Sequence, residues 1–129
     1  MGHVYVDAKL RGLQREVDLK RILVDTGASF TVIGRDILKD AGSMETPWTM
    51  DLMLSNKTRV KASIHMAEIE IEGRKGPMRI ATFDNAVPVI GFDTLETLGL
   101  RVNPTTAKLE EVRGEFLLYI VNIRKTSLQ

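Results

Sequence analysis

The sequence predicts an all-β fold with two short helices, and three observations predict it. Apolar and polar residues alternate with a period of two through the first third of the chain. Apolar runs are separated by Gly-, Asn- and Pro-bearing breaks. Finally, residues 32–42, VIGRDILKDAG, echo residues 89–99, VIGFDTLETLG, without a gap. The echo keeps Val, Ile, Gly, Asp, Leu and Gly in register. It implies a duplicated unit of hairpin, buried turn, short helix and hairpin, related by an approximate internal twofold axis.

The elements follow in order. Val4, Val6, Ala8 and Leu10 alternate with Tyr5, Asp7 and Lys9, as in a half-buried strand. Arg11-Gly12 supplies a turn, and Leu13, Val17 and Leu19 continue a second strand. The triplet Ile22-Leu23-Val24 marks entry into a core buried on both faces, ended by the turn chemistry of Asp25-Thr26-Gly27-Ala28-Ser29. Thr31 and Ile33 continue inward. Ile37, Leu38 and Ala41 predict a helix over 35–41, closed by a left-handed Gly42. Trp48–Leu54 and Lys57–Ile71 read as strands around a tip at Ser55-Asn56-Lys57. A further hairpin joins 67–71 to 78–83 through residues 72–77. Val87–Ile90 is a buried strand, and Asp93 caps a second helix, with Glu96 completing a capping box and Gly99 ending it. Residues 103–106 form a turn, and Phe116–Ile123 is a last apolar strand.

Composition excludes several functions. The 129 residues fit one domain, 1–129, and 43% apolar content with 27% charge excludes a disordered chain. Lys and Arg number 18 against 17 acids, so no basic excess points to a nucleic-acid partner. Without cysteine there is no disulfide, thiolate metal site or thiol nucleophile. His3 and His65 alone support neither a histidine metal centre nor a Ser-His triad, so no metal and no cofactor is expected. The apolar run 116–121 is far short of the roughly 20 residues that span a bilayer. The first residues lack the apolar core of a signal peptide, and Val6 stands where a myristoylation signal needs Ser or Thr. The expected setting is cytoplasmic, with no membrane partner. Carboxylates remain as the source of chemistry.

A bare Asp-Thr-Gly is a common tripeptide, and its setting gives it weight. An apolar strand delivers Asp25 to the end of a buried element, where Gly27 allows a sharp turn and the close approach of a ligand. Later in the chain the second apolar-apolar-Gly, Val89-Ile90-Gly91, leads into the second helix. Peptide hydrolysis by carboxylates needs two of them, a base toward water and an acid toward the carbonyl oxygen. Two carboxyls about 3 Å apart share a proton and titrate as a pair. The chain holds one Asp-Thr-Gly, and Asp93-Thr94 runs on into Leu95, so a second carboxylate has to come from another copy.

Over residues 5–112 the sequence resembles the retropepsin-like, single-domain aspartic proteases. The resemblance rests on Asp25-Thr26-Gly27-Ala28 after an apolar strand, a flap hairpin, and Val89-Ile90-Gly91 before a short helix, in this order. It implies an acid protease-like closed β-barrel, a homodimer, and an aspartic endopeptidase acting on peptide or protein substrates. Asp25 would be catalytic. Thr26, Gly27 and Ala28 would support its loop, with Thr26 bonding across the dyad. A flap over about 48–64 would close on an extended peptide. Ser29, Leu54, Ser55, Asn56, Lys57, Val89 and Ile90 would border that peptide.

Three departures from the retroviral pattern carry consequences. No Gly occurs between Ser43 and Glu72, so the flap is expected to be stiff and to meet substrate through Asn56 and Lys57. Ser29 and Phe92 stand where many relatives pair Asp with Arg to brace the dimer, and the strand 116–123 is expected to help hold it instead. Ala28 stands where bilobal relatives carry Ser, which implies a pH optimum nearer neutral. Trp48 is expected in core or dimer packing and His65 as a plain core or surface residue. Lys57, Arg59 and Lys61 are expected on a solvated face. The alternative function is a catalytically silent peptide-binding or dimerisation module on the same fold.

Overall fold

A computed structural model of the chain describes residues 3–112. The strand expected at 116–123 lies outside them. The elements are β1 (Val4–Arg11), β2 (Glu16–Val24), β3 (Thr31–Val32), α1 (Arg35–Ala41), β4 (Met44–Met53), β5 (Arg59–Ile71), β6 (Arg74–Thr82), β7 (Val89–Ile90), α2 (Phe92–Leu98), β8 (Leu100–Asn103) and β9 (Lys108–Glu111). A mixed sheet runs in the order β1-β2-β7-β3-β6-β5-β4, and β1 also pairs with β5. That extra pairing, with Leu10 opposite Ile69, closes a six-stranded barrel from which β4 projects as an edge. The strands β8 and β9 form a separate ribbon. The architecture is the acid protease-like barrel with two helices that the sequence implied.

The barrel interior holds Leu10, Leu19, Ile22, Val24, Ile33, Leu38, Ile69, Ile71, Ile80, Ile90 and Leu95 among its buried residues. Both members of the sequence echo take the same form. Gly34 and Gly91 are extended residues preceding α1 and α2, and Gly42 and Gly99 close the helices at φ +76° and +68°. Leu38 and Leu95 occupy equivalent places in the core. The duplication is therefore structural as well as sequential. Among the described residues no helix is long and apolar enough to cross a membrane.

Several local expectations are corrected. Leu13 lies outside β2 and is 79% exposed. The amides of Leu13, Gln14 and Arg15 donate to the carbonyls of Ala41 and Gly42 at the end of α1, so this segment caps a helix and joins no ladder. The 72–77 connection is only Glu72-Gly73, both left-handed (φ +53° and +78°), and β6 starts at once with Arg74 opposite Ile71. A two-residue turn of this hand matches the twist of the strands it joins. The strand at Val87–Ile90 contracts to β7, leaving Val87 exposed. Asp93 does not cap α2. Gly91 holds that position without a side-chain bond, because the Phe92 and Asp93 amides donate to the carbonyls of Ala28 and Ser29. The turn at 103–106 is present, with Asn103 Oδ1 accepting from the amides of Thr105 and Thr106.

Strand β5 changes its covered face midway. Ala62 and Ile64 are buried on one side, then His65, Ala67, Ile69 and Ile71 on the other. Opposite this point the register of β4 slips between Glu45 and Thr49. The first half of β5 thus belongs to the projecting β4–β5 hairpin and the second half to the barrel wall.

Candidate active site

Asp25 stands where β2 leaves the sheet. Leu23 and Val24 pair in parallel with Val89 and Ile90, which fixes the strand end between the two repeats. The Asp25 amide donates to the Ile90 carbonyl at 2.9 Å. Its Oδ1 accepts the Gly27 amide at 2.9 Å, and its carbonyl accepts the Ala28 amide at 3.0 Å. The carboxylate is thus oriented by its own turn. A Cβ on residue 27 would sit 3.2 Å from Asp25 Oδ1, so the smallest residue suits this place. Asp25, Thr26 and Gly27 are all exposed.

The second motif holds this loop from behind. Phe92 and Asp93 donate their amides to the Ala28 and Ser29 carbonyls at 2.7 and 3.0 Å. The Gly91 backbone lies so close to the Phe30 carbonyl that a Cβ there would fall 2.4 Å from it. Residues far apart in sequence thus form one unit. Ser29 is exposed, and neither it nor Phe92 enters an ion pair. Beside them Arg79 pairs with Asp93 at 3.2 Å and lies 5.1 Å over the Phe30 ring.

A second apolar cluster covers the other face of the sheet. Val32, Ala62 and Ala81 are buried, with Met50, Leu52, Phe83, Ala86 and Val89 packed partly exposed around them. Since Val32, Ala81 and Val89 lie on β3, β6 and β7, and Met50, Leu52 and Ala62 on the projecting hairpin, the cluster joins hairpin to sheet. Val89 therefore belongs to this layer. Ile90, expected to border a peptide, is fully buried in the barrel core and acts on the loop through its carbonyl. Met50, Leu52, Phe83 and Ala86 were not foreseen. The alternation of Met50 and Leu52 opposite Val60 and Ala62 was the signal available in the sequence.

The hairpin tip spans Leu54–Thr58. Leu54 donates to Thr58, Lys57 donates to Leu54, and Asn56 Oδ1 accepts the Thr58 amide, each at 2.8–2.9 Å. Lys57 takes φ +67°, a conformation a glycine usually supplies. Ser55, Asn56 and Lys57 are exposed. Asn56, expected to meet substrate, spends its carbonyl oxygen on the turn itself. Arg59 and Lys61 lie exposed on the face opposite Val60 and Ala62, as expected of solvated cations. Trp48, expected in core or dimer packing, is 68% exposed. At the hairpin base His65 is buried and bonds Ser43 Oγ through Nδ1 at 2.8 Å. Burial pushes its pKa below the usual imidazole range; Glu45 opposes the shift and Arg35 adds to it.

Comparison with curated proteins found no significant match. The family model for aspartyl proteases matches residues 6–94, a span that holds the Asp25 loop, the β4–β5 hairpin and the Gly91 turn. The match covers more than half of the chain. The chain belongs to the aspartyl protease family, in its retropepsin-like branch.

Proposed function

We propose that the protein is an endopeptidase in which two protomers each contribute Asp25 to one catalytic pair. The observation that carries this reading is the Asp25 loop. Its carboxylate is held by the Gly27 amide, its backbone is pinned to the second repeat, and yet Asp25, Thr26 and Gly27 face solvent. A turn built so firmly and left exposed suits a surface that meets its own copy across a twofold axis.

In this mechanism the pair carries one proton. The ionised carboxylate takes a proton from a water, whose oxygen attacks the scissile carbonyl carbon while the other carboxyl gives its proton to the carbonyl oxygen. The tetrahedral intermediate then collapses with protonation of the leaving amine. Thr26 would bond across the axis and fix both loops. The β4–β5 hairpin would close over an extended peptide, and the partly exposed Met50, Leu52, Phe83 and Val89 would receive its apolar side chains. Ser29 and the tip residues Leu54, Ser55, Asn56 and Lys57 would border the same peptide.

The test is a pooled peptide library incubated with the native protein and with Asp25→Asn, alongside sedimentation of both. Cleavage by the native dimer, its loss in the variant and its block by a statine-type transition-state analogue are expected. Cleavage that survives in Asp25→Asn, or activity in a strict monomer, would remove the mechanism. Peptide binding without turnover in both proteins would instead favour a silent binding module.

A further inference from the structure

Behind the exposed loop lies a buried pair of hydroxyls that the reaction itself does not use. Thr31 is wholly buried, and its Oγ1 accepts the Gly91 amide at 3.0 Å. The same oxygen shares a 2.6 Å hydrogen bond with Thr94 Oγ1, and Thr94 is 1% exposed. Of the bonds that tie the first loop to the second motif, those through Asp25, Ala28 and Ser29 run between main-chain atoms. Thr31 supplies the side-chain tie to Gly91. It acts immediately after Ile90, whose carbonyl holds the Asp25 amide.

We propose that Thr31, backed by Thr94, is a positioning residue for the Asp25 carboxylate. The inference rests on the endopeptidase reading and deepens it. The chain of connection is short: Thr94 orients the Thr31 hydroxyl, Thr31 fixes the Gly91 amide, and the Ile90–Gly91 peptide fixes the Asp25 amide. Most buried hydroxyls are hydrogen-bonded, and here each of the two has at least one partner. Without the Thr31 hydroxyl the Gly91 amide would be left unpaired, and the Ile90–Gly91 peptide would be free to tilt. The carboxylate would then move relative to its partner across the twofold axis. Peptide contacts along the groove would be untouched, so the cost should fall on the chemical step.

The experiment compares Thr31→Val, Thr31→Ser and Thr94→Val with the native protein. Thr31→Val should lose about tenfold or more in kcat with KM little changed, since small misplacements of a reacting group cost that much. Thr31→Ser should recover most of the loss because it restores the hydroxyl, and Thr94→Val, which keeps the Gly91 bond, should fall between them. Amide hydrogen exchange is measured on all four proteins whether or not they cleave. Thr31→Val should exchange faster at Asp25–Ala28 as well as at Gly91. A folded Thr31→Val with native kcat, a loss confined to KM, or native exchange at Asp25–Ala28 would overturn the proposal. If the native protein cleaves nothing, the endopeptidase reading fails, while the exchange data still decide whether Thr31 positions the loop.

Discussion

The amide of Asp25 and the carbonyl of Ile90 meet at 2.9 Å, so the candidate catalytic residue is held by the last strand residue of the other repeat. The Asp25 backbone is thereby tied to the β7–α2 junction. The site is a joint between two halves, and the first prediction concerns that joint.

Gly91→Ala should be severely damaging. The new methyl would lie 2.4 Å from the Phe30 carbonyl carbon and oxygen and 2.9 Å from the Thr31 nitrogen, all of them backbone atoms with little freedom to retreat. Overpacking of this kind costs about 1–3 kcal/mol or more. Urea unfolding should show that loss, together with loss of cleavage. Native stability would contradict the packing described at Phe30.

Leu38→Ala and Leu95→Ala test the internal duplication. Both side chains are buried at equivalent points of α1 and α2, at 0% and 1% exposure. Each truncation should destabilise by about 2–5 kcal/mol, and the two losses should be similar. A large disparity in denaturant midpoints would show that one repeat carries the fold.

Stability should depend on pH through His65 and Glu110. Burial lowers the His65 pKa in the folded state, so the unfolded chain takes up the proton first. The His65 contribution is complete above its ordinary value of 6.5 and is lost as pH falls from there through the folded pKa. Glu110 is held low by hydrogen bonds from Asn103 and Arg101, so its contribution is present above 4.5 and disappears as pH falls below that value. Thermal melts from pH 8 to pH 4 should therefore decline, and His65→Asn should flatten the upper part of the decline. An unchanged slope in that variant would mean that another group titrates there.

Met50→Ala and Leu52→Ala should weaken binding of an extended peptide inhibitor by about tenfold each, the scale set by removing a few methylenes from an apolar pocket. Both residues belong to the small cluster with Val32 and Ala81 and not to the barrel interior, so the melting temperature should fall less than for Leu38→Ala. Inhibitor titration by calorimetry decides it. Unaltered affinity would mean that the peptide does not lie against this layer.

Much of the barrel was legible because its signals are local. Alternation gave β1, the break at Ser55-Asn56-Lys57 gave the β4–β5 hairpin, and Gly42 and Gly99 closed α1 and α2 where the left-handed turns occur. The Asp25 loop was legible because its turn chemistry follows a fully apolar triplet. What escaped was tertiary. Leu13 looks like a strand residue until its amide is seen to serve the end of α1, and Asp93 looks like a cap until the Ala28 and Ser29 carbonyls fill that role. The bulge at Lys20-Arg21 opposite Asp7, where Arg21 turns left-handed and donates its amide to the Asp7 carboxylate, has no sequence pattern of its own. The apolar floor was hidden for another reason. Val32, Ala81 and Val89 come from three strands, and no single window of sequence contains them.

The bonds from Phe92 to Ala28 and from Asp93 to Ser29 have a further consequence. They join peptide to peptide, so they are indifferent to which side chains those positions carry. Ser29 and Phe92 could therefore be exchanged for other side chains while the loop beneath them keeps its anchorage.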